Sequence, residues 1–468
     1  MRRVDFVKQV IAVVSVSAWV LVMGCGSGGS SGSANGGASG TGLVGGSGEG
    51  GSSVVQPMGT ALSACLPANP LYPGGIFNVL SAVNAALVGK GTPGSTYIGL
   101  MPNHQSAFWS TPKLGYTQAQ TEIGCLGDFH FPPSKTDPDG APYISADQQA
   151  TMIAWTTGTP GTVPYPHVAD GTTLNATSSL PKASAIALSS KTPADMIAPI
   201  NAALAAGIPV VGFDSDCPKS NRPIYVGAEN GAAGAAAAKA MVALLGANPT
   251  GTLIVLEGPT AGTAGDNQYD RTLGILTTLA ATAVGAPITA TGSITTTYSS
   301  ATLPAVSIVT ETGIDGSAAH PIPSPAMLVA TAATATSKLI GIIAINSTLG
   351  PLLADWLTKS GINTSATGPR LQVVAWDTNS PVLPSVQSGL LQATVAQRAY
   401  FYGYLVVYIE YAMSVLGIAP TMQILDPFLT NDVNGVKAFL DTGIDLVTTT
   451  NLADYSTYQS QCLGVTSH

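Results

Sequence analysis

The sequence predicts an α/β protein built as two parallel-sheet lobes, and three observations predict it. Short apolar runs rich in Val, Ile and Leu, such as Pro209-Val-Val-Gly-Phe213 and Leu339-Ile-Gly-Ile-Ile-Ala-Ile345, recur along the chain, as strands covered on both faces do. Segments with helical spacing lie between them, among them the alanine-rich stretch 231–245, which Asn230 is expected to cap and Gly246 to stop. The alternation fills more than 300 of the 468 residues and passes through its pattern twice, enough for two cores.

The elements follow in order. Residues 77–88 place apolar side chains at helical spacing, and Thr96-Tyr-Ile-Gly-Leu-Met101 reads as the first strand, with 103–109 leading into a helix. A strand at 125–131 and a helix at 146–155 follow, then a Gly/Pro/Thr-rich insertion at 156–182 that is long for a connection. Strand 183–188 and helix 193–206 lead into strand 209–213. The second round has strands at 223–227, 252–256, 339–345, 371–376 and 391–396. Its helices are expected at 231–245, 267–284 and 326–337; a long helix at 400–416 and a last strand at 444–448 close the chain. The Thr/Ser-rich region 288–325, with a second insertion at 300–325, has no readable period.

The first residues look like a targeting segment. Arg2, Arg3 and Lys8 precede an apolar run at 10–23, too short for a comfortable membrane span, which ends Leu21-Val-Met-Gly-Cys25. This resembles a bacterial lipoprotein cleavage box, which implies removal of 1–24 and lipidation of Cys25. Residues 26–56 are nearly all Gly, Ser and Ala, a flexible tether with a reach of roughly 30 Å. Loss of Arg2, Arg3, Lys8 and Asp5 leaves 14 basic and 24 acidic residues, a net charge of −10. An acidic chain without basic patches excludes a nucleic-acid partner. In an oxidising compartment Cys65, Cys125, Cys217 and Cys462 are candidates for one or two disulfides, with three complete pairings open. Neither they nor the five histidines have metal-ligand spacing, so no metal and no cofactor is expected.

Polar residues collect just past the predicted strands. Asn103 and Ser106, then Asp214, Ser215 and Asp216, then Asn267 and Tyr269, and finally Asn346, Asp377 and Gln397 all lie there. Ligands of open α/β sheets bind outside the carboxyl ends of strands. Asp, Asn and Gln together accept and donate, which suits a hydroxyl-rich ligand. Phe108, Trp109 and Trp376 can cover the apolar face of a sugar ring.

At this point the chain resembles the type I periplasmic binding proteins of the ribose/galactose/xylose-binding group, from about residue 95 to 455. The resemblance rests on Ile98-Gly-Leu, Ser106-Ala-Phe-Trp109, Gly207-Ile-Pro-Val-Val-Gly-Phe-Asp-Ser-Asp216, Tyr225-Val-Gly-Ala-Glu-Asn230, Asp270-Arg271, Ile343-Ala-Ile-Asn346, Val374-Ala-Trp-Asp377 and Thr394-Val-Ala-Gln397. It implies two Rossmann-like lobes joined by a three-segment hinge near 226–229, 397–398 and 430–443. It also implies a sugar held between Phe108 and Trp109 and bonded by Asp214, Asn346, Asp377 and Gln397, with Arg271 structural. Ser215 stands where that family often has Arg, and Tyr269 where a ligand-binding Arg is common.

The expected division is a signal peptide 1–24, a tether 25–57, an extension 58–94, a first lobe of 95–227 with 398–432 and a second lobe of 228–397 with 433–460. The expected function is that of a monomeric, membrane-tethered extracytoplasmic receptor. It binds a monosaccharide or small polyol by hinge closure and delivers it to an ABC importer. The alternative keeps the fold and makes the protein a sensor of a sugar-like signal for a membrane kinase or chemoreceptor. An enzyme acting on glycosides is disfavoured: Asp214 and Asp216 are two apart at one strand end, and no Gly-x-Ser-x-Gly elbow is present.

Overall fold

The computed structural model describes residues 74–464, except 105, 132–141, 160–161, 165–172, 176–179, 259–266, 286, 291–292, 315–321, 323–337, 365–369 and 433–434. The leader, Cys25, the tether, Cys65 and the helix expected at 326–337 therefore lie outside the described residues.

Eighteen strands are described. In chain order they are β1 (Tyr97–Met101), β2 (Leu126–Phe129), β3 (Thr162–Pro164), β4 (Thr173–Asn175), β5 (Ala185–Leu188), β6 (Val210–Phe213), β7 (Ile224–Gly227), β8 (Gly251–Leu256) and β9 (Ala281–Ala283). The rest are β10 (Ile288–Ala290), β11 (Ser293–Ser300), β12 (Val306–Thr312), β13 (Leu339–Ala344), β14 (Gln372–Trp376), β15 (Ala393–Gln397), β16 (Thr430–Asn431), β17 (Lys437–Asp441) and β18 (Ile444–Thr448). β3 and β4 form a separate antiparallel pair. One large sheet runs β16-β17-β7-β6-β5-β1-β2, and a second β10-β11-β12-β8-β13-β14-β15-β18, with β9 also on β11. Both are parallel at the centre and antiparallel only toward their edges, as with β16 on β17 and β18 on β15.

Period-two alternation on these strands builds a core on each face. Val211 and Phe213 of β6 join Ile98 and Leu100 against the helices Ser110–Ile123 and Tyr400–Leu416, whereas Val210 faces Met196, Ile200 and Trp155 on the other side. In the second lobe Leu253 and Val255 face Ala237, Met241 and Ile275, and Ile254 and Leu256 face Leu349, Leu353 and Leu357. The helix Tyr400–Leu416 is buried from Tyr400 through Met413. The helix Gly74–Leu87 joins the same core through Phe77, Leu80 and Val83, so part of the expected extension belongs to the first lobe.

Glycines let two helix pairs approach backbone to backbone. A Cβ on Gly115 would overlap the Tyr400 carbonyl and one on Gly403 the Pro112 carbonyl. In the second lobe Gly234 and Gly274 stand the same way against the carbonyls of Arg271 and Gly231, which brings the helix Asn230–Leu245 onto Asn267–Thr278.

The chain passes between the sheets three times: after β7, after β15, and between β17 and β18. The third crossing is later than the expected boundary at 432, because β17 pairs in parallel with β7 of the first sheet up to Asp441. Hydrogen bonds bundle the crossings: Glu229 N–H donates to Asp441 Oδ1 (3.1 Å) and Arg398 Nη1 to the Thr442 carbonyl (3.4 Å). Arg398 also pairs with Asp445 at 2.8 Å.

Three local expectations change. Glu229, not Asn230, caps the helix Asn230–Leu245, accepting from the N–H groups of Gly231 and Ala232. The helix begun at Asn267 ends at Thr278 and gives way to β9. The unreadable Thr/Ser region contributes β10, β11 and β12, whose antiparallel ladders join polar residues such as Thr295–Thr297 to Val309–Glu311.

Candidate functional site

A cavity of about 140 Å³ lies between the two sheets at the carboxyl ends of their central strands. Asn103, Phe108, Trp109, Asp214, Ser215, Asp216, Asn267, Asn346, Asp377 and Gln397 line it. Ser106, Tyr269 and Trp376 do not. Tyr269 is 37% exposed on the helix Asn267–Thr278. Trp376 lies on the core face of β14 with Val374, by the two-residue period of the strand, and its ring packs under the Arg271 guanidinium at 4.5 Å. The residues expected from sequence thus include one indole that serves the core instead of the cleft.

The first-lobe wall is built on the end of β6. Asp214 adopts a left-handed backbone (φ 54°) immediately after Phe213, an uncommon state outside glycine that Asp tolerates better than most residues. Its Oδ2 accepts from Ser189 Oγ (3.0 Å) and Ser215 Oγ (3.2 Å), and Asn103 Nδ2 donates to Ser215 Oγ (2.9 Å). The Asp214 carbonyl accepts from Tyr225 OH (2.6 Å) and, from the other lobe, Asn267 Nδ2 (2.8 Å). Asp216 is committed elsewhere: Arg222 grips both of its oxygens and also reaches Asp432 at 3.2 Å. Phe108 and Trp109 meet edge to face at 5.0 Å, and Trp109 also packs edge to face on Phe213 at 5.8 Å. Trp109 is therefore enclosed by other rings, not laid open as a platform.

The second-lobe wall mirrors the first. Asp377 follows β14 with φ 59° and accepts from Gln397 Nε2 at 3.0 and 3.2 Å. The same amide's Oε1 accepts from Arg271 Nη2 (3.0 Å) and Tyr402 OH (3.1 Å), so Gln397 has one orientation. Burial pushes the Asp377 carboxyl up to about 6, against the opposing pull of Arg271 and the Gln397 hydrogen bonds. Asn346 caps the helix Leu349–Ser360 through its Oδ1, accepting from Thr348 and Leu349 N–H, while its Nδ2 donates to Gln268 Oε1 at 2.8 Å.

Sequence reasoning missed His104, Ser190, Lys191, Pro193, Gln268 and Ser347, which also line the cavity. Arg271 lines the cavity while donating to Asn230 Oδ1 (2.8 Å), the Ile345 carbonyl (2.9 Å) and Gln397. His104 is held neutral: burial, with Lys191 close by, lowers its pKa to about 4.

The expected disulfides are corrected at two positions. Cys125 and Cys217 are free buried thiols, and they belong to the cores on opposite faces of the first sheet, which separates them. Cys65 and the side chain of Cys462 lie outside the described residues. Among the described residues no His, Cys, Asp and Glu cluster has the arrangement to hold a metal ion, and no helix is long and apolar enough to cross a membrane.

Comparison with known proteins places this geometry. The family model described as a periplasmic binding protein domain matches residues 98–415. A solute-binding protein of an ABC transporter from Burkholderia graminis C4D1M, solved in complex with D-arabinose, is 22% identical with a TM-score of 0.53, covering 77% of this chain and 98% of that one. A sugar-binding protein of a sugar ABC transporter from Bacillus halodurans is 21% identical with a TM-score of 0.53, over 77% and 100% of the two chains. The arabinose-binding protein AraP of Geobacillus stearothermophilus is 20% identical with a TM-score of 0.51, over 77% and 99%. At these identities the solved structures establish a shared fold. A search of the curated proteins finds no match. The matched family consists of extracytoplasmic solute-binding proteins, not enzymes. With two mostly parallel sheets, three crossings and the cavity between them, the chain belongs to the periplasmic binding protein family and has the two-lobed fold of its type I sugar-binding members.

Proposed function

We propose that this protein is a membrane-tethered receptor that captures a monosaccharide or similar small polyol between its lobes by hinge closure and delivers it to an ABC importer. One observation carries the reading: Asp214 and Asp377, strand-end carboxylates of opposite lobes, line a single cavity sized for a small molecule. Carboxylates accept from hydroxyl groups, and Asn103, Asn346 and Gln397 add amides that donate and accept beside them. Phe108 supplies an apolar edge. Solved relatives favour the same ligand class, with D-arabinose in the Burkholderia graminis protein and alpha-D-tagatopyranose in one from Agrobacterium vitis.

Closure follows from the architecture proposed for the ligand. A small polyol bonded to both walls stabilises the closed lobes over the open ones by its differential contacts. The Asn267 bond to the Asp214 carbonyl joins the two lobes across the cleft. Cys25 after its apolar run, and the Gly/Ser composition of the stretch behind it, support a lipid anchor. Calorimetry with a panel of pentoses, hexoses and polyols, paired with small-angle scattering, tests the reading. A saturable heat with a smaller radius of gyration is expected; a panel with neither response would overturn it.

A further inference from the structure

We propose that the ligand is a sugar acid, a polyhydroxylated carboxylate whose anionic end docks in a donor-lined corner of the cleft formed by Trp109, Ser190 and Lys191; the proposal rests on the reading of this cleft as a polyol site. Two buried groups in the cavity wall have no partner. Ser190 is 2% exposed and its Oγ makes no hydrogen bond, and Trp109 is fully buried with its Nε1 equally unmatched. Leaving a buried polar group unpaired is costly, so each such group in a binding site points to what the ligand must bring. An indole N–H can only donate. The indole therefore calls for an acceptor, and the Ser190 hydroxyl is able to donate to one as well.

The surroundings favour a charged one. Lys191 follows Ser190 in the cavity wall, and the helix Pro193–Ala205 begins there, with Pro193 itself lining the cavity and Thr192 making no side-chain cap bond. The positive end of that helix adds to the lysine. The nearby carboxylates do not cancel this corner. Arg222 neutralises Asp216, the Ser189 and Ser215 hydroxyls cover one oxygen of Asp214, and Asp377 stands in the other lobe beside Arg271 and Gln397. The cleft thus has an accepting side for hydroxyl groups and a donating corner for a carboxylate, and a sugar acid satisfies both. A neutral sugar offers the indole and the lysine only weaker acceptors.

The test is calorimetry of the mature chain against matched pairs: glucose with glucuronate, galactose with galacturonate, arabinose with arabinonate. The acid of at least one pair should bind about tenfold tighter than its neutral partner, with the preference reduced by added salt. In Lys191→Met, and separately in Ser190→Ala, that preference should shrink to about threefold or less. Neutral members binding as tightly as their acids in every responding pair would overturn the sugar-acid proposal and leave the polyol reading standing. An acid preference unmoved in both variants would also overturn it. No response to any of the six ligands would defeat the polyol reading itself, and this proposal with it.

Discussion

Asp214 and Asp377 hold the same backbone state at equivalent places in the two lobes. Each is the residue directly after a buried central strand, each has a positive φ (54° and 59°), and both line one cavity. Strained non-glycine backbone of this kind persists where surrounding structure over-determines it, and it concentrates at ligand clamps. In each lobe the turn points a carboxylate away from the core and into the cleft.

Asp214→Asn keeps the left-handed turn, which Asn also tolerates, and removes the charge. Ligand affinity should fall at least about tenfold, as expected for loss of a charge-assisted hydrogen bond, while the melting temperature stays near that of the parent. Calorimetry and a thermal melt on the same sample check it. Undiminished affinity would remove Asp214 from the site.

Asp377 makes the unliganded fold pH-dependent. Its folded pKa is about 6 against 3.8 for the unperturbed carboxyl, so between those values the folded state holds a proton that the unfolded chain releases. The stability from that proton is complete below about pH 4 and is lost as pH rises through 6, to the extent of about 3 kcal/mol. Asp377→Asn abolishes this pH dependence. Urea unfolding should find the variant gaining on the parent from pH 4 to pH 7.5, even as its ligand affinity falls. A gap that does not change with pH would contradict the assignment.

The fold and the outline of the cleft were legible because strand ends announce themselves in sequence. Apolar runs that stop at Asp214, Asn346, Asp377 and Gln397 mark where parallel strands open onto a ligand, and the structure brings these four to one cavity. The place of Arg271 is set by contacts that no local pattern carries. The partners that place its guanidinium in the wall are Asn230, the Ile345 carbonyl and Gln397, which are 41, 74 and 126 residues away. Ser190 and Lys191 carry no pattern of their own, since they matter only once β5 lies beside β6. Trp376 is legible as core from its two-residue spacing to Val374. The ladder of β11 on β12 escaped notice because its residues are largely Thr and Ser, with little apolar contrast between faces.

Asp216 should behave as a scaffold group. Its buried pairing with Arg222, which also reaches Asp432 of the segment before β17, ties the turn after β6 to the first-lobe side of the hinge. Arg222→Met leaves the buried Asp216 carboxylate without its counter-charge and should destabilise the fold by about 3–5 kcal/mol. Denaturant titration of the single variants and of Asp216→Asn with Arg222→Met checks this: the double variant should recover part of the loss. Additive losses would show that the pair is uncoupled.

Glu410 is a second titrating load on the fold, remote from the cleft. It lies wholly buried on the helix Tyr400–Leu416, neither carboxyl oxygen has a partner, and burial raises its pKa well above 4.5. The protonated form fits the folded state, so stability falls as pH rises above the unfolded value. Glu410→Met should stabilise the protein by at least about 1 kcal/mol at neutral pH, by a margin that grows with pH. Equal urea midpoints for parent and variant from pH 5 to pH 8 would contradict this.

The most direct measurement is a crystal structure of the mature protein with the tightest-binding member of the sugar panel. The account predicts one ligand in the interlobe cavity, with hydroxyl groups bonded to Asp214 from one side and to Asp377 from the other. A ligand elsewhere on the molecule, or one in the cleft that touches neither carboxylate, would contradict it.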